Sequence, residues 1–140
     1  MKKLLTILTI LTFLSFSKDS NECEEPTIPY WYIDVNSKIE GESPTLRKAF
    51  KKIQITETNI LPNNGFITLR LNISKKGKLC DIETFQIDED YKNIQFNNGK
   101  LAKQLEKIAL GLTNWQRDKD VKTYNLIRLK IKNGKIEEIF

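Results

Sequence analysis

The side chains in this sequence that could do chemistry are mostly carboxylates. Asp81 and Glu83 stand two apart in an otherwise largely apolar stretch, and Asp88, Glu89 and Asp90 form an unbroken acidic run. Paired carboxylates across a substrate cleft are the machinery of glycoside hydrolysis, and clustered oxygen donors can bind calcium. Neither pattern is completed here. Asp81 and Glu83 alternate along a strand opposite Ile82, and a small sheet offers no cleft. The acidic run lacks EF-hand spacing and the glycine that turns such a loop. The chain contains no histidine, which removes Ser-His-Asp and Cys-His catalysis, the commonest general base and every histidine metal site. Cys23 and Cys80, the only cysteines, cannot make a zinc site unaided. Gly65, Gly77, Gly99 and Gly134 fall at turns or helix starts, outside any phosphate-binding loop. The expectation is a protein without enzymatic activity, cofactor or metal.

The N-terminus sets the compartment. Lys2 and Lys3 precede an uncharged, mainly apolar run from Leu4 to Phe16, and Ser15 and Ser17 put small residues where a signal peptidase reads. The run is shorter than the ~20 apolar residues of a membrane span. Residues 1–17 are therefore read as a cleaved signal peptide, with an uncleaved anchor as the alternative. Asn21 and Glu22 before Cys23 do not suit a lipid-attachment site. Loss of Lys2 and Lys3 leaves 21 basic residues against 18 acidic ones, an excess of +3. The lysines are scattered, whereas nucleic-acid binding calls for a concentrated basic patch with stacking aromatics. The expected protein is periplasmic or secreted, binds no nucleic acid and is not inserted in the membrane after cleavage. Its length suits one domain with a modest core. In an oxidising compartment Cys23 and Cys80 can pair, closing a long loop worth about 2–4 kcal/mol. A buried Cys80 with Cys23 free in a mobile tail is equally compatible with the sequence.

The elements that would position these groups follow from periodicity. Residues 18–42 form a polar, acidic lead-in with Pro26 and Pro29. Within it, Tyr30, Trp31, Tyr32, Ile33 and Val35 are strand-like in composition and expected to pack on their own domain. Ser43 suits a helix cap and Pro44 the first helical position, while Leu46, Ala49, Phe50 and Ile53 make one apolar stripe. Ile67, Leu69, Leu71 and Ile73 alternate with polar residues and predict a half-buried strand. A turn at Gly77 leads to a return strand from Leu79 to about Ile87. There Cys80, Ile82 and Thr84 share a face, but Phe85 and Ile87 have the opposite parity, which needs a bulge near Thr84 or a strand end. Asn97 or Asn98 can cap a helix whose stripe is Leu101, Leu105, Ile108 and Leu112 with Ala102 and Ala109 alongside, and Trp115 is expected to plug one end of the core. Alternation through Asn125–Ile131 and the Asn133-Gly134 hairpin signal give two closing strands. The predicted fold class is α+β: helix, strand, strand, helix, strand, strand, a small antiparallel sheet with helices on one face.

The order and landmarks of "NNGFITLRLNISKKGKLCDIE", "LAKQLEKIALGLTNW" and "LIRLKIKNGKIEEIF" resemble the C-terminal domain of the TonB family of bacterial envelope proteins. The matching features are Gly65 at the first strand, the Lys76-Gly77 turn and Trp115 after the helix, within residues 43–140. Gln116 and Arg117 stand where the family commonly has proline and glycine, and the family's energy transducers carry a retained anchor and a long proline-rich spacer in place of the short lead-in expected here. The resemblance therefore implies a stand-alone TonB-like domain. It implies partner binding by strand addition to a sheet edge, the partner being a cell-envelope protein such as an outer-membrane receptor. Energy coupling is not carried over. The return strand 79–87 and the last strand 135–139 are the expected edges. The latter is the expected docking edge, with Ile136, Glu137, Glu138 and Ile139 as partner-binding residues. The competing reading is a secreted or periplasmic inhibitor or immunity-like protein that inserts the loop 88–99. A carboxylate hydrolase is a third, and it requires a cleft.

The mature protein is expected to begin at or near Lys18. Intact mass and N-terminal sequencing of protein purified from its host check this, and a full-length mass recovered from membranes would identify residues 1–17 as an anchor.

Overall fold

The computed structural model of the protein describes residues 21–140; the leader assigned to residues 1–17 and the cut after it lie outside the described residues. In chain order the elements are α1 (Tyr30–Ile33), β1 (Lys38–Ile39), α2 (Glu42–Thr56), β2 (Gly65–Ile73), β3 (Leu79–Asp88), a 3-10 turn (Phe96–Gly99), α3 (Lys100–Leu110), β4 (Trp115–Gln116), β5 (Thr123–Lys132) and β6 (Lys135–Ile139). The fold is α+β. Strands β3, β2, β5 and β6, in that spatial order, form an antiparallel sheet, and β1 pairs with β4 in a second, two-stranded one. Apart from α1, β1 and β4, which the sequence reading did not foresee, the succession α2, β2, β3, α3, β5, β6 is the expected one, and β3 and β6 are the edges of the larger sheet.

Period-2 alternation decides which face is buried. Ile67, Leu69, Leu71 and Ile73 of β2 have no exposed surface, and they lie beside Ile127, Leu129 and Ile131 of β5 in one apolar layer. Phe50 and Ile53 of α2 and Leu101, Leu105 and Ala109 of α3 cover that layer. Each fully buried leucine or isoleucine contributes about 1.5–3 kcal/mol. Trp115 closes one end of the core and donates its indole N–H to the Leu112 carbonyl at 3.2 Å. The tip of the β2–β3 hairpin rests against it. Gly77 has φ +86°, and a Cβ there would lie 2.6 Å from the Trp115 carbonyl oxygen.

Several local expectations are corrected. Tyr30–Ile33 is a helical turn, not a strand. Pro29 fixes φ and lacks a donor, and the Tyr32 N–H closes onto the Pro29 carbonyl at 3.0 Å. Ser43 does not cap α2: Gly41, at φ +76°, precedes the helix with no side-chain cap bond, and the Thr45 hydroxyl donates to the Glu40 carbonyl instead. Asn97 and Asn98 are both left-handed, and Gly99 takes the cap position of α3. Asn97 is spent on a loop: its side-chain oxygen accepts from the Leu61 N–H at 2.8 Å, and its own N–H donates to the Leu61 carbonyl at 2.7 Å. In β3 the register runs unbroken past Thr84, and the shift falls between Asn72 and Ile73, leaving Cys80 unopposed. Phe85 keeps its parity and stands half-exposed on the outer face of the sheet.

The displaced Cys80 is the residue that joins Cys23, with Cα atoms 5.4 Å apart. Of the two readings left open for the cysteines, the paired one holds, and the described part of the lead-in is stapled to the sheet. Ile28 donates its N–H to the Lys122 carbonyl and accepts from the Thr123 hydroxyl, both at 2.8 Å. Trp31 packs edge-on against Tyr124 with ring centroids 5.9 Å apart.

Leu105→Ala removes a side chain with no exposed surface and is expected to cost about 2–5 kcal/mol. Lys103→Ala, on the exposed face of the same helix, should stay within about 0.5 kcal/mol. Urea titrations of the two variants separate these outcomes.

Candidate functional site: a groove beside the last strand

The last strand owes its position to its turn. Asn133 (φ 50°) and Gly134 (φ 71°) are both left-handed, the requirement of a two-residue type I′ hairpin. The turn is held from outside: Gly134 donates its N–H to the Asn63 carbonyl at 2.8 Å and accepts from the Ile60 N–H at 2.9 Å. A Cβ at Gly134 would lie 3.3 Å from the Ile60 carbonyl oxygen. Between Lys130 and Ile131 the register of β5 against β6 shifts, so that Ile136 opposes Ile131 and Ile139 opposes Leu129.

Helix α2 supplies the other wall. Its apolar stripe turns Phe50 and Ile53 into the core, which leaves Arg47, Lys48 and Lys51 exposed. One turn further on, the Gln54 amide donates to the carbonyls of Ile136 at 3.2 Å and Glu137 at 3.4 Å. Between helix and strand lies a groove of about 690 Å³, lined by Arg47, Lys48, Lys51 and Gln54 on one side and Glu137 to Phe140 on the other.

The charges of the two walls are unequally satisfied. Lys130 reaches Glu137 at 2.7 Å and Glu138 at 3.6 Å, and Lys132 reaches Glu137 at 3.4 Å. The hydrogen bond from Lys130, helped by the charges of Lys130 and Lys132, holds the Glu137 carboxyl below its ordinary range. The reciprocal bond raises Lys130 above the ordinary lysine range. Arg47, Lys48 and Lys51 make no ion pair among the described residues.

Of the residues expected to anchor a partner, Glu137 and Glu138 are exposed and border the groove. Ile139 is half-buried between core and groove. Ile136 is corrected: it is only 3% exposed, because its pairing with Ile131 turns it into the core. The loop 88–99 divides in two. Asp88 accepts the N–H groups of Asp90 and Lys92, both at 2.9 Å, and a bridge between Ile87 and Asn93 folds the loop back on β3. Phe96 is buried in the core, so the projecting part is Glu89–Asn93, with Tyr91 76% exposed. Glu83 pairs with Arg70 at 3.0 Å, and the Asn72 amide donates to both Asp81 and Glu83.

Arg47, Lys48 and Lys51 were legible in the sequence only as the water-facing side of a helix, and Gln54 lay beyond the end expected for it. That this side borders a sheet edge depends on how α2 docks, which no local pattern encodes. Among the described residues no group of three or more metal-ligating side chains is disposed to hold an ion, and no helix is long and apolar enough to cross a membrane. Fold and site together define a small α+β domain with a cationic groove at a sheet edge. Comparison with protein-family models, curated proteins and solved structures found no match.

Lys130→Met removes the main cause of the lowered Glu137 titration, so the Glu137 carboxyl is expected to titrate at higher pH in the variant. Because the folded-state value is depressed in the native protein, the stability it contributes is present above the ordinary carboxylate range and lost as pH falls through the lowered value. Carboxyl NMR titration of the two proteins measures the difference directly.

Proposed function

We propose that this is an exported, non-enzymatic binding module of the cell envelope. In this reading it works without cofactor, in the periplasm or the medium, and takes up an extended segment of another envelope protein as an added strand beside β6. The resemblance of residues 43–140 to TonB C-terminal domains supports it, and one observation carries it. Phe140 and Arg128 exchange both main-chain hydrogen bonds, at 2.6 and 2.9 Å. Antiparallel alternation therefore turns the N–H and C=O of Ile139 away from β5, toward the groove that Ile139 lines. An unpaired strand edge is a template for another chain.

The opposite edge is occupied at its C-terminal end. On β3 the Gln86 carbonyl and the Asp88 N–H are taken by Ile94 and Lys92 of the folded-back loop, at 3.1 and 3.0 Å. The inhibitor reading needs the loop 88–99 as an inserting element, and only its tip projects.

The test is amide hydrogen exchange on the complex with a partner captured from envelope extracts. Exchange at the Ile139 N–H is expected to slow on binding while the Glu89–Asn93 tip stays unchanged. Unchanged exchange at Ile139 in a formed complex would overturn strand addition at this edge, and protection confined to Glu89–Asn93 would point to the inhibitor reading.

A further inference from the structure

The two walls of the groove differ in a way that specifies an occupant. On the strand side the glutamates are already neutralised, Glu137 by Lys130 and Lys132 and Glu138 by Lys130. On the helix side Arg47, Lys48 and Lys51 have no acidic partner among the described residues. The groove thus presents uncompensated positive charge to whatever lies along β6. The spacing suits a strand. Arg47 and Lys51 are one helical turn apart, about 6 Å along the axis, and alternate residues of an extended strand are about 6.6–6.8 Å apart on one face.

Resting on the strand-addition reading, we propose that the segment taken up beside β6 is acidic, with Asp or Glu at alternate positions. An added strand continues the sheet, so one set of its side chains falls on the face that α2 covers, the face of Phe50 and Ile53. Carboxylates in that set meet Arg47, Lys48 and Lys51, while the strand's main chain meets Ile139. The intervening residues point to the outer face of the sheet and are free to vary. Recognition is then divided: the edge sets register and the cations select charge. Arginine adds a planar fork that takes a carboxylate in two hydrogen bonds.

The experiment uses two end-blocked, labelled nine-residue peptides, one alternating threonine with glutamate and the other threonine with glutamine. Fluorescence anisotropy is read with the purified protein, Arg47→Glu/Lys51→Glu, Lys51→Gln and the control Lys103→Glu, each checked by circular dichroism. The glutamate peptide is expected to bind the native protein about tenfold more tightly than its counterpart, equivalent to ~1.4 kcal/mol. The preference should shrink in high salt as the charges are screened. It should be lost in the double variant, reduced in Lys51→Gln and kept in Lys103→Glu. Slowed exchange at Ile139 should accompany binding of either peptide.

Equal binding of the two peptides with Ile139 protected overturns the acidic-segment proposal and leaves strand addition standing. A glutamate preference that survives in the double variant also overturns it. Glutamate-selective binding that depends on Arg47 and Lys51 but leaves Ile139 exchange unchanged overturns strand addition, since the cations would then bind an anion without a strand. Failure of both peptides to bind overturns both.

Discussion

Strand β2 pairs along its whole length with β3 on one side and β5 on the other, and its alternate side chains Ile67, Leu69, Leu71 and Ile73 are wholly buried. The rest of the structure is arranged around that constraint. A strand hydrogen-bonded on both sides leaves the edges to its neighbours, so β3 on one flank and β6 beyond β5 must end the sheet. A shift of one residue along β2 would turn all four apolar side chains to the outer face. The register of both pairings is therefore fixed by burial, and α2 and α3 have only one apolar face on which to dock.

The outer face is organised differently. It carries arginines over aromatic rings: Arg70 lies 4.8 Å from the centre of the Tyr124 ring and Arg128 4.3 Å from that of Phe66. Such contacts at exposed sites contribute about 0.5–1 kcal/mol each, and the long side chains cover apolar surface while keeping their charge in water. The segment before α2 covers one end of this face through Trp31 and Tyr124, and the Cys23–Cys80 bond holds that segment at the β3 bulge. One extra residue in β3 thus provides the attachment point for the chain that leads through α1 to β1. The disulfide, whose formation the sequence left open, is what ties the described lead-in to the sheet.

What could be read from the sequence was what depends on period and on single strong turn signals. The stripe of α3, the alternation of β2 and the Asn133-Gly134 turn each constrain several residues at once. The order of the two long helices and the four-stranded sheet, and both its edges, could therefore be predicted, while the short α1, β1 and β4 could not. Errors came where one residue had two uses. Asn97 looked like a helix cap but is held by Leu61. Phe85 looked out of step with its strand, as if a bulge or a strand end intervened, but the strand runs on and Phe85 stays on the outer face. Ile136 looked like an exposed anchor because β6 is short and polar, and the register shift after Lys130 turns it inward. The cationic wall of the groove was hidden for a different reason: exposure is a local property of a helix face, whereas adjacency to β6 belongs to the tertiary fold.

The way β6 is protected bears on the proposed binding. Proteins blunt an edge with charge, a bulge or a covering element, and all three occur here: the lysine–glutamate cluster, the shift after Lys130 and the Gln54 side chain. The covering element is the weakest of them. A neutral side-chain hydrogen bond contributes only about 0.5–1.5 kcal/mol net, and Gln54 can rotate away without disturbing the Phe50 and Ile53 packing that holds α2. It reaches Ile136 and Glu137 but leaves the main chain of Ile139 facing the groove. If the edge had only to be kept from pairing, an acidic residue facing Glu137 and Glu138 would repel an acidic strand, whereas Arg47, Lys48 and Lys51 attract one. The combination of a displaceable amide and a cationic wall repels basic strands, including the lysine-rich β2–β3 hairpin of a second copy, and favours an acidic strand over a neutral one.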